Sequence, residues 1–263
     1  MMLGILSYVV DYFAPIFLVL SPITSYADQI ASIHRRKTSD GFSLDIPLIM
    51  LVASILKVFY WFGAYYDKSL LAQASLMIVV QVILLKVALD NRAPDGSHHT
   101  PFHGYTAENG LKDLMSGRRP YDFWQWSGSK PYFQFLAYFA GTLLAVHVLL
   151  PFLSSSPAYI AFLGYVGLAV EAMLPIPQIV KNHKARSCKG FRLSVICNWL
   201  AGDAMKMSYF FLSSEYIPWP FRLCGIFQAC CDCYLGFQYY MYGEGPAGAD
   251  IPMSSTSKSG LFG

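Results

Sequence analysis

The sequence predicts an all-α integral membrane protein of seven transmembrane helices, two parallel three-helix bundles joined by a linker helix. Three observations carry that prediction. Of the 263 residues, 55% are hydrophobic, 16% aromatic and only 13% charged, with mean hydropathy +0.40. Seven apolar stretches approach or exceed the roughly 20 residues needed to cross a bilayer. The sequence also repeats itself at a spacing of 149 residues. A soluble domain carries about 25% charged residues, and half that leaves too little polar surface to clothe a globule in water. Disorder, a secreted disulfide scaffold and a nucleic-acid binder are excluded, the last because the formal net charge is only +3.

In chain order the predicted spans are 8–33, 43–66, 69–89, 131–153, 157–180, 193–213 and 217–241. The first reads as a span rather than a cleavable leader, because Asp11 interrupts its start and no basic residue precedes it. Pro15, Pro22, Pro47, Pro175 and Pro177 fall within spans, where neighbouring groups re-satisfy the freed carbonyls. These spans group into a first repeat over 8–89, a cytosolic linker over 90–130, a linker helix over 131–153 and a second repeat over 157–242. The tail 243–263 is rich in Gly, Ser and Pro and reads as disordered. His98, His99 and His103 lie in the linker and read as solvated loop histidines rather than metal ligands. Cys230-Cys231-x-Cys233 sits in an apolar helix without a second ligand pair, so no metal site and no structural disulfide are expected. Tyr65, Tyr66, Trp124, Trp126, Trp219 and Tyr242 near span ends read as an interfacial aromatic belt.

Basic residues orient the chain. Fourteen of the nineteen Lys and Arg fall in 34–41, 90–130, 181–192 or the tail, and only Lys68 lies in an opposite loop. The positive-inside rule then places the amino terminus in the lumen and the carboxyl terminus in the cytosol.

The repeat is plainest between 29–62 and 178–211, where ten of 34 positions are identical without a gap. Gln29 matches Gln178, His34 matches His183, Gly41-Phe42 matches Gly190-Phe191, Lys57 matches Lys206 and Tyr60 matches Tyr209. Four spans separate equivalent helices, so the two copies are parallel. A pseudo-two-fold axis along the membrane normal would put a substrate path between them near mid-membrane.

Charged groups within spans cost about 2.5–3.5 kcal/mol each on insertion scales, so they pair or face water. Asp28, Gln29 and Lys57 supply such groups in the first repeat. The fifth span supplies Glu171 and Gln178, seven residues apart and so on one helix face. The sixth supplies Asn198, Asp203 and Lys206, the last two at the i,i+3 spacing of a neutralising pair. The seventh supplies Gln228 and Asp232. Together these ten residues are the candidate substrate path, against the alternative that they only glue helices together. No phosphate-cradling loop, HExxH or Gly-x-Ser-x-Gly is present, so neither an enzyme nor an ATP-driven pump is expected, and no cofactor.

Pro177-Gln178 near a span's end, a basic loop and Gly190-Phe191 together resemble the PQ-loop repeat family, whose 3+1+3 fold is shared with the SWEET sugar transporters. The first copy departs from that motif, with Asp28 where proline is usual. The resemblance implies hinge roles for Pro177 and, near the altered motif, Pro22. Thr38-Ser39-Asp40-Gly41-Phe42-Ser43, Phe59-Tyr60-Trp61-Phe62-Gly63 and Tyr121-Asp122-Phe123-Trp124-Gln125-Trp126-Ser127 are similar to a narrower branch. That branch contains a fungal antagonist of phospholipid flippases and animal relatives. It implies a passive phospholipid scramblase of Golgi or endosomal membranes, its partners being phospholipids and, as functional opponents, flippases. The wider family implies an alternative, a proton-coupled exporter of amino acids or another small solute in vacuolar or lysosomal membranes. A further alternative is a non-transporting membrane receptor or regulator that binds a partner through 90–130.

Overall fold

The computed structural model describes residues 9–39, 42–92, 123–124, 126, 128–188 and 193–243. Most of the predicted linker and the tail beyond Gly243 lie outside the described residues. Among the described residues there are helices and no strands. A short π-helical turn, Val9–Phe13, leads into α1 (Ala14–Arg36), followed by α2 (Asp45–Ala64) and α3 (Lys68–Asp90). Helix α4 (Lys130–Leu149) and the single turn α5 (Pro151–Ser154) precede α6 (Pro157–Ala172), α7 (Ile176–Ala185), α8 (Leu193–Leu212) and α9 (Trp219–Tyr242).

Five helical stretches are long and apolar enough to cross a membrane: Val10–Arg36, Asp45–Ala64, Lys68–Asp90, Lys130–Leu149 and Pro157–Ala185. Helices α8 and α9 have the length, at 20 and 24 residues. Asn198, Asp203 and Lys206 in α8, and Arg222, Gln228, Asp232 and Gln238 in α9, make them more polar. Many large apolar side chains point outward, Phe152 at 77% and Tyr240 at 87% exposure among them. Such a surface suits lipid rather than water.

Local chemistry explains where the helices start and stop. The Asp67 carboxylate caps α3 by accepting from the N–H groups of Ser69 and Leu70 at 3.0 and 3.3 Å. Pro22 lies inside α1 and cannot donate to the Leu18 carbonyl, and the Ser21 hydroxyl donates there instead at 2.8 Å. The helix runs on through the proline. The predicted fifth span is not one helix: it breaks at 173–175, ahead of Pro175 and Pro177, into α6 and α7. Each Pro lacks the N–H that would continue the ladder.

The matched ends of α1 and α7 echo the repeat. Lys37 and Arg186, 149 residues apart, both take the left-handed conformation that closes their helix, with φ of 54° and 49°. Helices α3 and α9 begin at 68 and 219, so the third helices of the two copies align 151 residues apart.

Helix α3 packs on α1 and α2, α9 on α6, α7 and α8, and α2 on α6. The α2–α6 contact joins the two copies, and it is close because α6 presents glycine. A Cβ on Gly164 would stand 2.7 Å from the Tyr60 ring, and one on Gly167 3.0 Å from Leu56 Cβ. Helix α4 packs on α2 with the segment before it. Trp124 and Trp126 there are not an interfacial belt: they are 1% and 2% exposed. The Trp124 indole donates to the Leu44 carbonyl at 2.7 Å, and the Tyr132 hydroxyl donates to the Trp126 carbonyl at 3.0 Å.

Candidate functional site

Several polar groups of the spans gather where the two copies meet. Lys57 on α2 and Glu171 on α6 form an ion pair at 2.5 Å, with side chains 4% and 18% exposed. Lys206 on α8 lies 3.2 Å from Asp203 Oδ1, its i,i+3 neighbour, and donates to Gln228 Oε1 on α9 at 2.9 Å. Both lysines line one cavity of about 40 Å³, together with Glu171, Gln228 and Gln73 of α3. At roughly 10–15 Å³ per water it has room for a few waters. Phe210 and Phe221 also line it. Phe221 in turn packs against Tyr66, Phe210 and Tyr60, with ring centroids 4.8, 6.0 and 6.2 Å away.

The repeat accounts for the pairing. Lys57 and Lys206 are equivalent, and each must be neutralised because an isolated buried ammonium is far too costly. Glu171 serves Lys57 from the other copy. Its counterpart 149 residues earlier is Pro22, which can serve nothing. Lys206 therefore takes its carboxylate from its own helix at Asp203, whose counterpart in the first copy is Ser54. Asp232 on α9 completes the group: it is 4% exposed and within hydrogen-bond reach of Asp203.

Of the ten path residues, Lys57, Glu171, Lys206 and Gln228 line the cavity, and Asp203 and Asp232 stand behind Lys206. Asp28 and Asn198 are exposed, and Gln29 is half-buried on α1; none of the three lines the cavity. Gln178 shares no helix face with Glu171, because the break at 173–175 separates them. It donates to Asn182 Oδ1 within α7 at 2.7 Å. Pro22 is buried within α1, and Pro177 sits in the first turn of α7. Gln73 belongs to the site although sequence reasoning left it out of the path. It donates to Ser21 at 3.2 Å, tying the Pro22 turn to the cavity wall. Its signal was a glutamine in an otherwise apolar span. Gln238, 1% exposed, donates to the Ile179 carbonyl at 3.0 Å and holds α9 to α7. Lys57 is thus neutralised from the other copy, by Glu171, and not from its own helix.

Just past α7, the Cys188 N–H donates to the Gly243 carbonyl at 2.9 Å, tying the end of α7 to the end of α9. Cys188 is 1% exposed, and burial pushes its thiol up from the usual range. All six cysteines are free thiols.

Residues 16–70 and 159–219 match the PQ loop repeat, one match in each copy. The chain is also similar to Scramblase ANY1 of Saccharomyces cerevisiae, at 30% identity over 276 aligned positions that cover 84% of this chain and 68% of that protein.

Proposed function

The chain belongs to the PQ-loop repeat family, and we propose that it is a passive phospholipid scramblase of Golgi and endosomal membranes that opposes flippases. In this reading seven spans form a 3+1+3 fold, with α1–α3 and α6–α9 as the copies, the broken α6–α7 counting as one span, and α4 between them, and the carboxyl terminus faces the cytosol. One observation carries the proposal most: equivalent lysines from the two copies converge on one charged cavity inside an otherwise apolar bundle. Similarity to a protein named scramblase supports the substrate class. A headgroup would exchange its water for these fixed charges while its acyl chains stay in the bilayer. Lys57 and Lys206 would engage phosphate as point charges. The cavity holds only a few waters, so a headgroup enters when α8 and α9 draw back from α2 and α6. No bond is made or broken, and the lipid gradient supplies the drive.

Buried carboxyl groups beside the cavity favour a second reading, proton-coupled export of a small solute such as an amino acid. Purified protein in ATP-free vesicles separates the two. Exchange of fluorescent phospholipid between leaflets supports the scramblase. Amino-acid flux that follows an imposed pH gradient, without lipid exchange, replaces it with the exporter.

A further inference from the structure

The second copy holds two buried carboxyl groups that the first copy does without. Asp203 and Asp232 are 6% and 4% exposed, and each leaves one oxygen, Oδ2 and Oδ1 respectively, without a hydrogen-bond partner. Their counterparts are Ser54, 149 residues before Asp203, and Gln81, 151 residues before Asp232 in the register of the third helices. Ser54 and Gln81 are both fully buried and both uncharged. Equivalent helix crossings are thus built without acids in the first copy, so packing alone does not call for them in the second.

They change the charge of the site. Lys57, Lys206 and Glu171 line the cavity, and Asp203 and Asp232 stand behind Lys206, so the group holds two cations and three carboxyl groups. If the two aspartates share one proton the group is neutral; if both are ionised it is negative. In neither state is it positive. A headgroup that brings only an oxyanion must draw Lys206 away from Asp203 and strand a buried carboxylate, which is costly. A zwitterion exchanges partners instead: its oxyanion takes Lys206, and its ammonium takes the aspartates. The unpartnered oxygens accept hydrogen bonds, which a primary ammonium donates and a trimethylammonium cannot.

We propose that Asp203 and Asp232 are a specificity-determining site for the primary ammonium of a zwitterion whose oxyanion Lys206 holds. This rests on the transport function proposed above. Two sources share that chemistry, an ethanolamine phospholipid headgroup and a free amino acid, and the lipid is the one consistent with a scramblase.

The test uses the full chain in ATP-free vesicles containing acyl-chain-labelled phosphatidylethanolamine, phosphatidylcholine or phosphatidylglycerol, with a parallel arm of radiolabelled glycine. The ethanolamine lipid should exchange faster than the glycerol lipid by about tenfold, the order expected of one hydrogen bond to a charged group, with the choline lipid between them. Asp203→Ser with Asp232→Gln gives these positions the side chains of the first half but takes the carboxylate from Lys206. Asp232→Gln alone, which keeps the Asp203–Lys206 pair, is therefore measured beside it, and gel filtration and thermal unfolding check that each is folded. Asp232→Gln should weaken the ethanolamine preference, and in the double variant it should vanish or reverse toward the glycerol lipid. Equal wild-type rates for the three lipids, or a preference that survives the double substitution, overturn the inference and leave the scramblase intact. Glycine flux without lipid exchange, lost in the double variant, keeps the ammonium site and overturns the lipid as its source. Movement of neither overturns both.

Discussion

Lys57 and Glu171 neutralise each other across the two copies, at 3% exposure for the lysine residue, so neither can be removed alone without stranding the other. Glu171→Gln should cost about 3–5 kcal/mol, the order seen when one partner of a buried pair is lost. Lys57→Met with Glu171→Leu should cost far less than the sum of the single changes. Thermal unfolding in mild detergent measures both, and additive losses would show that the pair is not coupled. The same cycle applies to Lys206: Asp203→Ala should harm folding more than Asp203→Ala with Lys206→Ala. At Cys188, burial removes access and the raised thiol pKa lowers the thiolate fraction at neutral pH. A water-soluble maleimide should therefore label Cys188 in folded protein much more slowly than after denaturation. Equal rates would place the thiol on the surface.

Within single helices the prolines and glycines make the sharper predictions. Ser21 donates to the carbonyl that Pro22 leaves free, so Ser21→Ala should cost about 1 kcal/mol, the net worth of one hydrogen bond. With Pro22→Ala in place the backbone N–H returns and the same change should cost almost nothing. An unchanged penalty in that background would mean that Ser21 acts through Gln73 instead. Gly164→Leu should force α6 off α2, since even a Cβ would stand 2.7 Å from the Tyr60 ring. The expected outcome is a loss of about 1–3 kcal/mol, the usual penalty of overpacking, relieved by Tyr60→Ala. Helix positions were legible beforehand because runs of apolar residues and capping prolines mark them directly. The break at 173–175 was foreshadowed only by Pro175 and Pro177, and a proline inside a span is ambiguous: Pro22 is bridged by a neighbouring serine, whereas the later pair ends a helix.

At the scale of the whole molecule, the repeat made most of the interior legible. Matched lysines at 57 and 206 predicted that both copies carry a charge to one place, and they line one cavity. The i,i+3 pairing of Asp203 with Lys206 followed from helix geometry alone. The partnership of Lys57 with Glu171 did not, since the residues lie 114 apart in sequence and no local spacing encodes a contact between copies. Asp28 and Asn198 misled for a related reason: a polar residue in a span can face outward near its end as readily as inward. The two-residue shift between the third helices concealed that Gln81 and Asp232 are counterparts. The proposed phospholipid path runs through the charged interior between the copies. ATP-free exchange of acyl-labelled phosphatidylethanolamine checks it, measured for the wild type and for Lys57→Met with Glu171→Leu at matched stability and protein density. Wild-type protein should expose inner-leaflet lipid to an external quencher, and the double variant should fall to the rate of protein-free vesicles. Exchange at the wild-type rate in the folded double variant would contradict the account, because the ion pair would then be helix glue and the lipid path would lie elsewhere.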